Sequence, residues 1–439
     1  MRFGLERMRA LLGALGDPQR CAPALHVVGT NGKSSTTRLA AAALGSRGAL
    51  VGTYLSPHIV DWTERIQVSG APIGEAELAA GATAVRRVAE GLDLDPGDGV
   101  TQFEALTAIA FHAFAAAGVD AMAIEAGLGG RYDATNVLRP GAAVILTNLA
   151  LEHTALLGDT VGAIAGEKLA VCADGSRRLV VGPLDAEGRA AVDAELAARD
   201  IVAVRYGEDL GAVDRGGLVE VVTPRATYRD LPLGLRGDFQ RENLAVALAG
   251  AEMVAGGALD EAPLRGAIGA VRIPGRLEVI DGAPPVVLDG AHNPAGMAAT
   301  TAALPAVLGD RRPVVAVVSV LGDKDAAAMM ASLAPVADVV LATRSSHARA
   351  VPPDDLMTIA RAAGIDARPA AEPHDAVREA RALAGPAGAV VVVGSLYLLA
   401  DVRSRLVPET DGTPAMLARA RKGNDPTEAN SCTMTTDSA

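Results

Sequence analysis

Short apolar runs alternate with alanine-rich stretches of helical period along most of the chain. In the first part, the apolar runs at 25–28, 49–55, 119–125 and 143–149 read as strands. Residues 34–44 and 103–117 carry the helical spacing between them. Strand–helix–strand alternation predicts an α/β domain, a parallel sheet with helices on both faces. Residues 178–235 break that rhythm. Their runs at 179–181, 201–206, 218–222 and 226–228 are short and punctuated by Gly, Asp and Pro, which predicts a last sheet segment followed by hairpins. A second alternating block starts near Pro285, with strands expected at 286–288, 314–318, 339–342 and 389–393. Pro and Gly crowd residues 272–285, as they do at interdomain hinges. The expected division is therefore a first domain at 1–278, a hinge at 279–285 and a smaller second domain at 286–421. A tail at 422–439, rich in Asn, Thr, Ser and Asp, is expected to be disordered.

Composition narrows the classes. Half of the 439 residues are hydrophobic and 21% are charged, enough to bury a sizeable core. The net charge of −12 disfavours a sequence-independent nucleic-acid binder. Cys21, Cys172 and Cys432 lack CxxC spacing and fit neither a disulfide framework nor a zinc site, which points to a reducing cytoplasm. Charges interrupt the N-terminal MRFGLERMRA, so no signal peptide is expected. The long uncharged stretch 382–400 contains Pro386 and three glycines and reads as a buried strand and helix, not as a membrane span.

Candidate chemistry gathers at strand ends. The strand at 25–28 runs into Gly29-Thr30-Asn31-Gly32-Lys33-Ser34-Ser35 and then a helix. Val27 stands where the full Walker pattern has glycine. The physics is unchanged: a Gly-rich turn brings backbone N–H groups to an anion at a helix N-terminus. Lys33 can reach phosphates, and Ser34 or Ser35 a bound magnesium ion. Glu125 and His153 follow later strands, beyond whose carboxyl ends ligands bind in parallel sheets. An ionic cap for Glu125 and a hydrogen-bonded loop role for His153 are the structural alternatives. In the second block, Asp289-Gly290-Ala291-His292-Asn293-Pro294 and Gly322-Asp323-Lys324-Asp325 also follow strands. Two such domains around a hinge predict a cleft that closes on substrates.

Taken in order, the segments HVVGTNGKSS, YLSPHI with TERI, TQFEALTAIAF, EAGLGGRYDATNV, EHTALLG, IAGEKLAV, RGDFQRENLAVAL, PGRLE, LDGAHNP and GDKD resemble the folylpolyglutamate synthase/dihydrofolate synthase branch of the Mur ligase superfamily. The resemblance implies an N-terminal Mur-ligase-type P-loop ATPase domain and a smaller Rossmann-like C-terminal domain. It implies ATP-dependent joining of L-glutamate to dihydropteroate or a folate by a monomer, with ATP and one or two Mg2+ ions, and neither nucleic-acid nor membrane partners. By the same resemblance Asn31, Gly32, Lys33, Ser34, Ser35, Asn243, Arg276 and Asp289 hold ATP, and Ser56, Glu125 and His153 hold magnesium. Thr101, Gln102, Phe103, Glu104, Tyr132, Asp133 and Ala134 stand where the family holds the pterin. Lys168 matches a lysine that the family carbamylates; its simpler role would be to pair with Glu167 or a helix end. Lys33, Lys168 and His292 are the expected catalytic groups, and Asp323, Lys324 and Ser395 the candidates for glutamate. Three positions depart from the branch: Ser34 for Gly, Glu152 for Asp, and Phe239 for His. The competing readings are a Mur-type amino-acid ligase for another carboxylate, and a nucleotide-binding scaffold without ligase activity.

Overall fold

The computed structural model describes residues 4–93, 98–139, 141–176 and 178–407; the expected tail and the end of the second domain lie outside them. Eight strands make the first sheet: β1 (Ala24–Val28), β2 (Val51–Tyr54), β3 (Ile66–Val68), β4 (Ala71–Pro72), β5 (Ala121–Glu125), β6 (Ala143–Leu146), β7 (Leu179–Val181) and β8 (Ala203–Arg205). Their spatial order is β4-β3-β2-β5-β1-β6-β7-β8. The pairs from β2 through β8 are parallel, and β3 and β4 add an antiparallel edge. Every residue of the central β1 is buried, as expected for a strand covered by helices on both faces.

Strands β9 (Gly211–Asp214), β10 (Val219–Val222) and β11 (Thr227–Leu231) form the expected antiparallel hairpins as a separate three-stranded sheet. Its first strand, GAVD, was not expected, because four residues with one strong β former carry little pattern.

The second lobe has β12 (Glu278–Ile280), β13 (Val286–Leu288), β14 (Val314–Val318), β15 (Val339–Ala342), β16 (Asp366–Pro369) and β17 (Ala389–Val393). Their order is β12-β13-β17-β14-β15-β16, parallel except for β12. Val279 and Ile280, the first residues of the expected hinge, pair with β13, so the second sheet begins at Glu278. The uncharged stretch is β17 followed by the helix Leu396–Leu406, and among the described residues no helix is long and apolar enough to cross a membrane.

Both parallel sheets direct their carboxyl ends toward the space between the lobes. Two apolar side chains cross that boundary. Ile59, from the loop after β2, is buried with Leu398 and Leu399 of the second lobe. Phe239 packs against the core that contains Leu277 and Met297. The loop after β1 is held equally closely. Gly29 has φ +143°, and a Cβ there would lie 1.9 Å from Thr147 Oγ1. We predict that Gly29→Ala destabilises the protein by about 2 kcal/mol or more through overpacking at a left-handed position, read as a lower urea midpoint at unchanged m-value.

Candidate active site

The site starts at the turn between β1 and the helix Lys33–Gly45. Gly32, at φ +81°, is the residue that turns the chain into this helix, and Asn243 Oδ1 lies 2.6 Å from where its Cβ would be. The turn is fastened to the end of β6. Asn31 N–H donates to Asn148 Oδ1 (2.9 Å), and Thr147 Oγ1 donates to the Asn31 carbonyl (2.7 Å). Ser34 Oγ donates to Glu125 Oε1 (2.8 Å), and the Ser56 N–H donates to Glu125 Oε2 (3.1 Å). One carboxylate thus ties together β5, the phosphate-type loop and the loop after β2. Burial pushes the Glu125 carboxyl above its usual range, opposed by the charge of Lys33 and by these two donors.

Two lysines meet on one oxygen. The Gly29 carbonyl accepts from Lys33 Nζ at 2.9 Å and from Lys168 Nζ at 2.8 Å. Lys33 Nζ also donates to the Thr30 carbonyl (2.9 Å). Lys168 is 1% exposed and pairs with Glu152 Oε1 at 2.9 Å. Its partner is therefore Glu152, the residue that departs from the branch, and not Glu167, which pairs with Arg131. Burial, and next the Lys33 charge, pull the Lys168 ammonium down to about 8. Burial alone would raise the Glu152 carboxyl, but Lys33 and Lys168 outweigh it and hold it low. Among the described residues Lys33 has no carboxylate within ion-pair distance. Two carboxylates, Glu125 and Glu152, act on these cations, and among the described residues only Glu152 with Lys168 is in ion-pair contact.

The second lobe supplies the facing wall. Asn293 Nδ2 donates to Asn31 Oδ1 (3.1 Å), a direct bond across the boundary. His292 Nδ1 lies 2.8 Å from the Gly290 carbonyl, which can only accept, so Nδ1 carries the proton and Nε2 is left as an acceptor. Burial is the chief cause that lowers His292 to about 4. His153, at φ +46°, is lowered by burial and then by Lys324, so the two lobes place these residues near each other. Lys324 Nζ pairs with Asp323 (3.3 Å), which also takes Arg349 (3.2 Å). The cleft between the walls measures about 1060 Å3. Six basic side chains line it, Lys33, Arg65, Lys168, Arg276, Lys324 and Arg349, against the acidic Glu125, Glu152, Glu242, Asp289 and Asp323. In a chain of net charge −12, the cleft lining carries one more basic than acidic side chain, which is compatible with an anionic ligand.

Residues 27–251 match the Mur ligase middle domain, and residues 275–396 match the Mur ligase glutamate ligase domain. The dihydrofolate synthase/folylpolyglutamate synthase of Mycobacterium tuberculosis is 36% identical over 381 residues, 82% of this chain and 77% of its own. The folylpolyglutamate synthase of Lacticaseibacillus casei is 35% identical, over 92% of this chain and 94% of its own. The chain belongs to the Mur ligase family, in its folylpolyglutamate synthase/dihydrofolate synthase branch. Solved members superpose over nearly the full length. The M. tuberculosis folylpolyglutamate synthase complexed with ADP and AMPPCP gives a TM-score of 0.86 at 33% identity, covering 93% of this chain and 96% of that one. E. coli FolC in complex with DHPP and ADP gives 0.81 at 28% identity, over 96% and 94%.

Within this Mur ligase frame the expected residues separate into two groups. Asn31, Gly32, Lys33, Ser34, Ser35, Ser56, Glu125, His153, Lys168, Asn243, Arg276, Asp289, His292, Asp323, Lys324 and Ser395 all line the one cleft. Of the seven residues expected at the pterin, Gln102 alone lines it. Thr101 and Glu104 form a reciprocal helix cap, and Glu104 accepts from Arg7 Nε at 2.8 and 3.0 Å in a buried pair. Phe103 lies where a Cβ on Gly127 would touch its ring. Asp133 is buried and accepts from the Leu128 and Thr135 N–H groups, which shapes the GLGG turn. Ala134 is buried and Tyr132 is 52% exposed. Asp289 lines the cleft, but its oxygens are taken by the Leu277 and Ala291 N–H groups and Thr300 Oγ1. Sequence reasoning missed the Glu152–Lys168 pair, Asn148 and the cleft face of Arg65 and Trp62. A departure from the family at Glu152 was the one signal for the first.

The Lys168 proton gives a signed prediction. An unfolded lysine holds its proton to about 10.5, whereas the folded one releases it near 8. Between those values the unfolded state binds more protons, so stability rises with pH there and the penalty is full below about 8. Denaturation of the wild type should show this rise, and Lys168→Met should lack it.

Proposed function

We propose that this chain joins L-glutamate to the carboxylate of dihydropteroate or a folate in an ATP-dependent ligation that releases ADP and phosphate. The observation that carries the reading is the convergence of Lys33 and Lys168 on the Gly29 carbonyl, in a cleft whose other wall belongs to a glutamate ligase domain. A free carboxylate is a poor acylating agent. In the proposed sequence its oxygen attacks the γ-phosphorus of ATP and the bond to ADP breaks. The glutamate nitrogen then attacks the acylphosphate carbon, and phosphate leaves from the tetrahedral intermediate.

Phosphoryl transfer asks for positioning and charge neutralisation more than for covalent help. Lys33 and Arg276 line the cleft and supply that neutralisation, and Asn31 and Gly32 present backbone to the phosphates. With its proton held on Nδ1, His292 offers Nε2 as acceptor to an amine N–H. A pKa of about 4 lies about four units below an α-amino group, so His292 orients the amine more than it removes a proton. Lys324 and Arg349 are the cations for the glutamate carboxylates, with Ser395 and Asp323 beside them. The residues expected for ATP and for glutamate all come from one chain, in line with action as a monomer. A cytoplasmic setting fits its dependence on ATP.

The oxygens of Ser34, Ser56 and Glu125 suit magnesium, which prefers hard oxygen donors and keeps water and substrate phosphates in its shell. Among the described residues no group of three or more His, Cys, Asp or Glu side chains could hold a metal by itself. His153, an imidazole, is the least suited member. When bound, magnesium would neutralise charge on the phosphates. Lys168, whose amine is neutral above about pH 8, could accept CO2 there; the carbamate would be an anion and would replace the ion pair with Glu152, so the loop with two cationic lysines belongs to the uncarbamylated chain.

A different carboxylate acceptor has one observation in its favour: six of the seven residues expected at the pterin do not line the cleft. Coupled ADP release, with dihydropteroate and tetrahydrofolate offered separately and with or without glutamate, distinguishes the readings. We expect turnover only when a pterin acid and glutamate are both present. Lys33→Ala should reduce it by about 10²-fold or more. Turnover without any pterin acid, or with a non-pterin acid alone, would overturn the folate reading.

A further inference from the structure

The chain changes lobe within a few residues. Ile273 is buried in the core of the first lobe and Leu277 in that of the second, with Pro274, Gly275 and Arg276 between them. Two residues at this crossing have left-handed backbone, Gly275 at φ +63° and Leu277 at φ +45°. At a leucine that conformation is unfavourable and persists only where the surroundings impose it. Each of the two is held by a carboxylate of the second lobe. Glu278 Oε2 accepts from the Gly275 N–H at 2.8 Å, and Asp289 Oδ2 accepts from the Leu277 N–H at 2.9 Å. The Gly275 carbonyl accepts from the Gly290 N–H at 2.8 Å. Arg276 therefore stands between two residues that are both tied to the second lobe.

Glu278 is itself held in place. Arg403, on the helix Leu396–Leu406, meets its carboxylate twice: Nε donates to Oε2 at 3.0 Å, and Nη2 donates to Oε1 at 2.8 Å. Both side chains are 20% exposed, so the pair is largely out of water. A bidentate pair of this kind fixes direction as well as distance. Oε2 thus serves both the crossing and the helix, and the proposed chemistry uses neither Glu278 nor Arg403. Space at the crossing is equally restricted. A Cβ on Gly275 would lie 2.6 Å from Leu399 Cδ1 and 2.8 Å from Ile59 Cδ1.

Arg276 lines the cleft, where its charge acts on Glu125 of the first lobe and on His292 of the second. Its Nη1 donates to the Gly275 carbonyl at 3.2 Å. The direction of the guanidinium therefore depends on where Gly275 is held. We propose that Glu278 is a positioning residue: gripped by Arg403, it anchors Gly275 to the second lobe and so fixes where Arg276 stands in the cleft. The pivot between the lobes then lies before Gly275, at Ile273–Pro274, and Arg276 travels with the second lobe toward phosphates held by the first. This rests on the reading above that Arg276 neutralises phosphate charge, and extends it by naming what holds that arginine.

A double-mutant cycle tests the role. Glu278→Gln keeps the side-chain shape and loses the charge that Arg403 pairs with. Arg403→Met removes the partner without touching the crossing, and keeps the test open if Glu278→Gln does not fold. Each should lower kcat/KM for ATP about tenfold, since a small displacement of a positioned group has effects of that scale, with the KM for glutamate and for the acceptor nearly unchanged. Arg403→Lys, which keeps the charge but not the two-point contact, should recover part of the loss. In an Arg276→Met background neither Glu278→Gln nor Arg403→Met should lower kcat/KM for ATP further. An undiminished loss in that background, or an unchanged kcat/KM for ATP in both single variants, would overturn the positioning role and leave the ligase reading standing. Arg276→Met with the wild-type kcat/KM for ATP would overturn the phosphate role of Arg276 and the positioning role with it.

Discussion

The Gly29 carbonyl oxygen is the point on which the rest of the site depends. It accepts from two lysine ammonium groups within 3 Å, and only one of them has a carboxylate of its own. Placing like charges so close in a buried setting is unfavourable unless an anion completes the arrangement. Glu152 pairs directly with Lys168, while Lys33 feels Glu152 and Glu125 without an ion-pair contact to either. In the proposed reading, a triphosphate at the N-terminus of the following helix would meet that need. On that reading the folded protein carries an electrostatic deficit that its substrate fills, a form of preorganisation.

That deficit has to face the second substrate, and the two-lobed architecture arranges it. Both sheets end their parallel strands at one cleft, so the loops after β1, β5 and β6 confront those after β13, β14 and β17. The lobes touch through a few defined contacts: Asn31 with Asn293, Ile59 in the far core, and Phe239 on the opposing one. Small interfaces of this kind allow the lobes to move relative to each other. Phe239, which replaces a polar residue usual in the branch, serves here as an apolar bearing between them.

Much of this was legible in the sequence because buried parallel strands read as unbroken apolar runs. β1, β14 and β17 are of that kind, and the turn residues after each carried the chemistry. Strands β3, β4, β9, β12 and β16 were missed. They have two to four residues and all but β3 are edge strands, and Ala71–Pro72 and Asp366–Pro369 contain proline, which sheet edges tolerate and interiors do not. Residue type at a strand end located the cleft, but could not say which way a side chain turns. Glu104 is the clearest instance: in TQFE it reads equally as a ligand contact or a cap, and its long-range partner Arg7 decides for the cap. Asp133 resolves the same way, through donors two and five residues away. The Lys168–Glu152 pair was hidden because it joins a helix, Val161–Leu169, to a loop with no shared periodicity.

In the proposed reaction, phosphate held at Lys33 activates a carboxylate within the cleft. Acceptor labelled with 18O in its reactive carboxylate, turned over with ATP and glutamate, tests this most directly. One labelled oxygen should appear in the released phosphate for each amide formed. Amide formation with both labelled oxygens kept out of the phosphate would contradict activation by phosphoryl transfer, and with it the role assigned to the two-lysine loop.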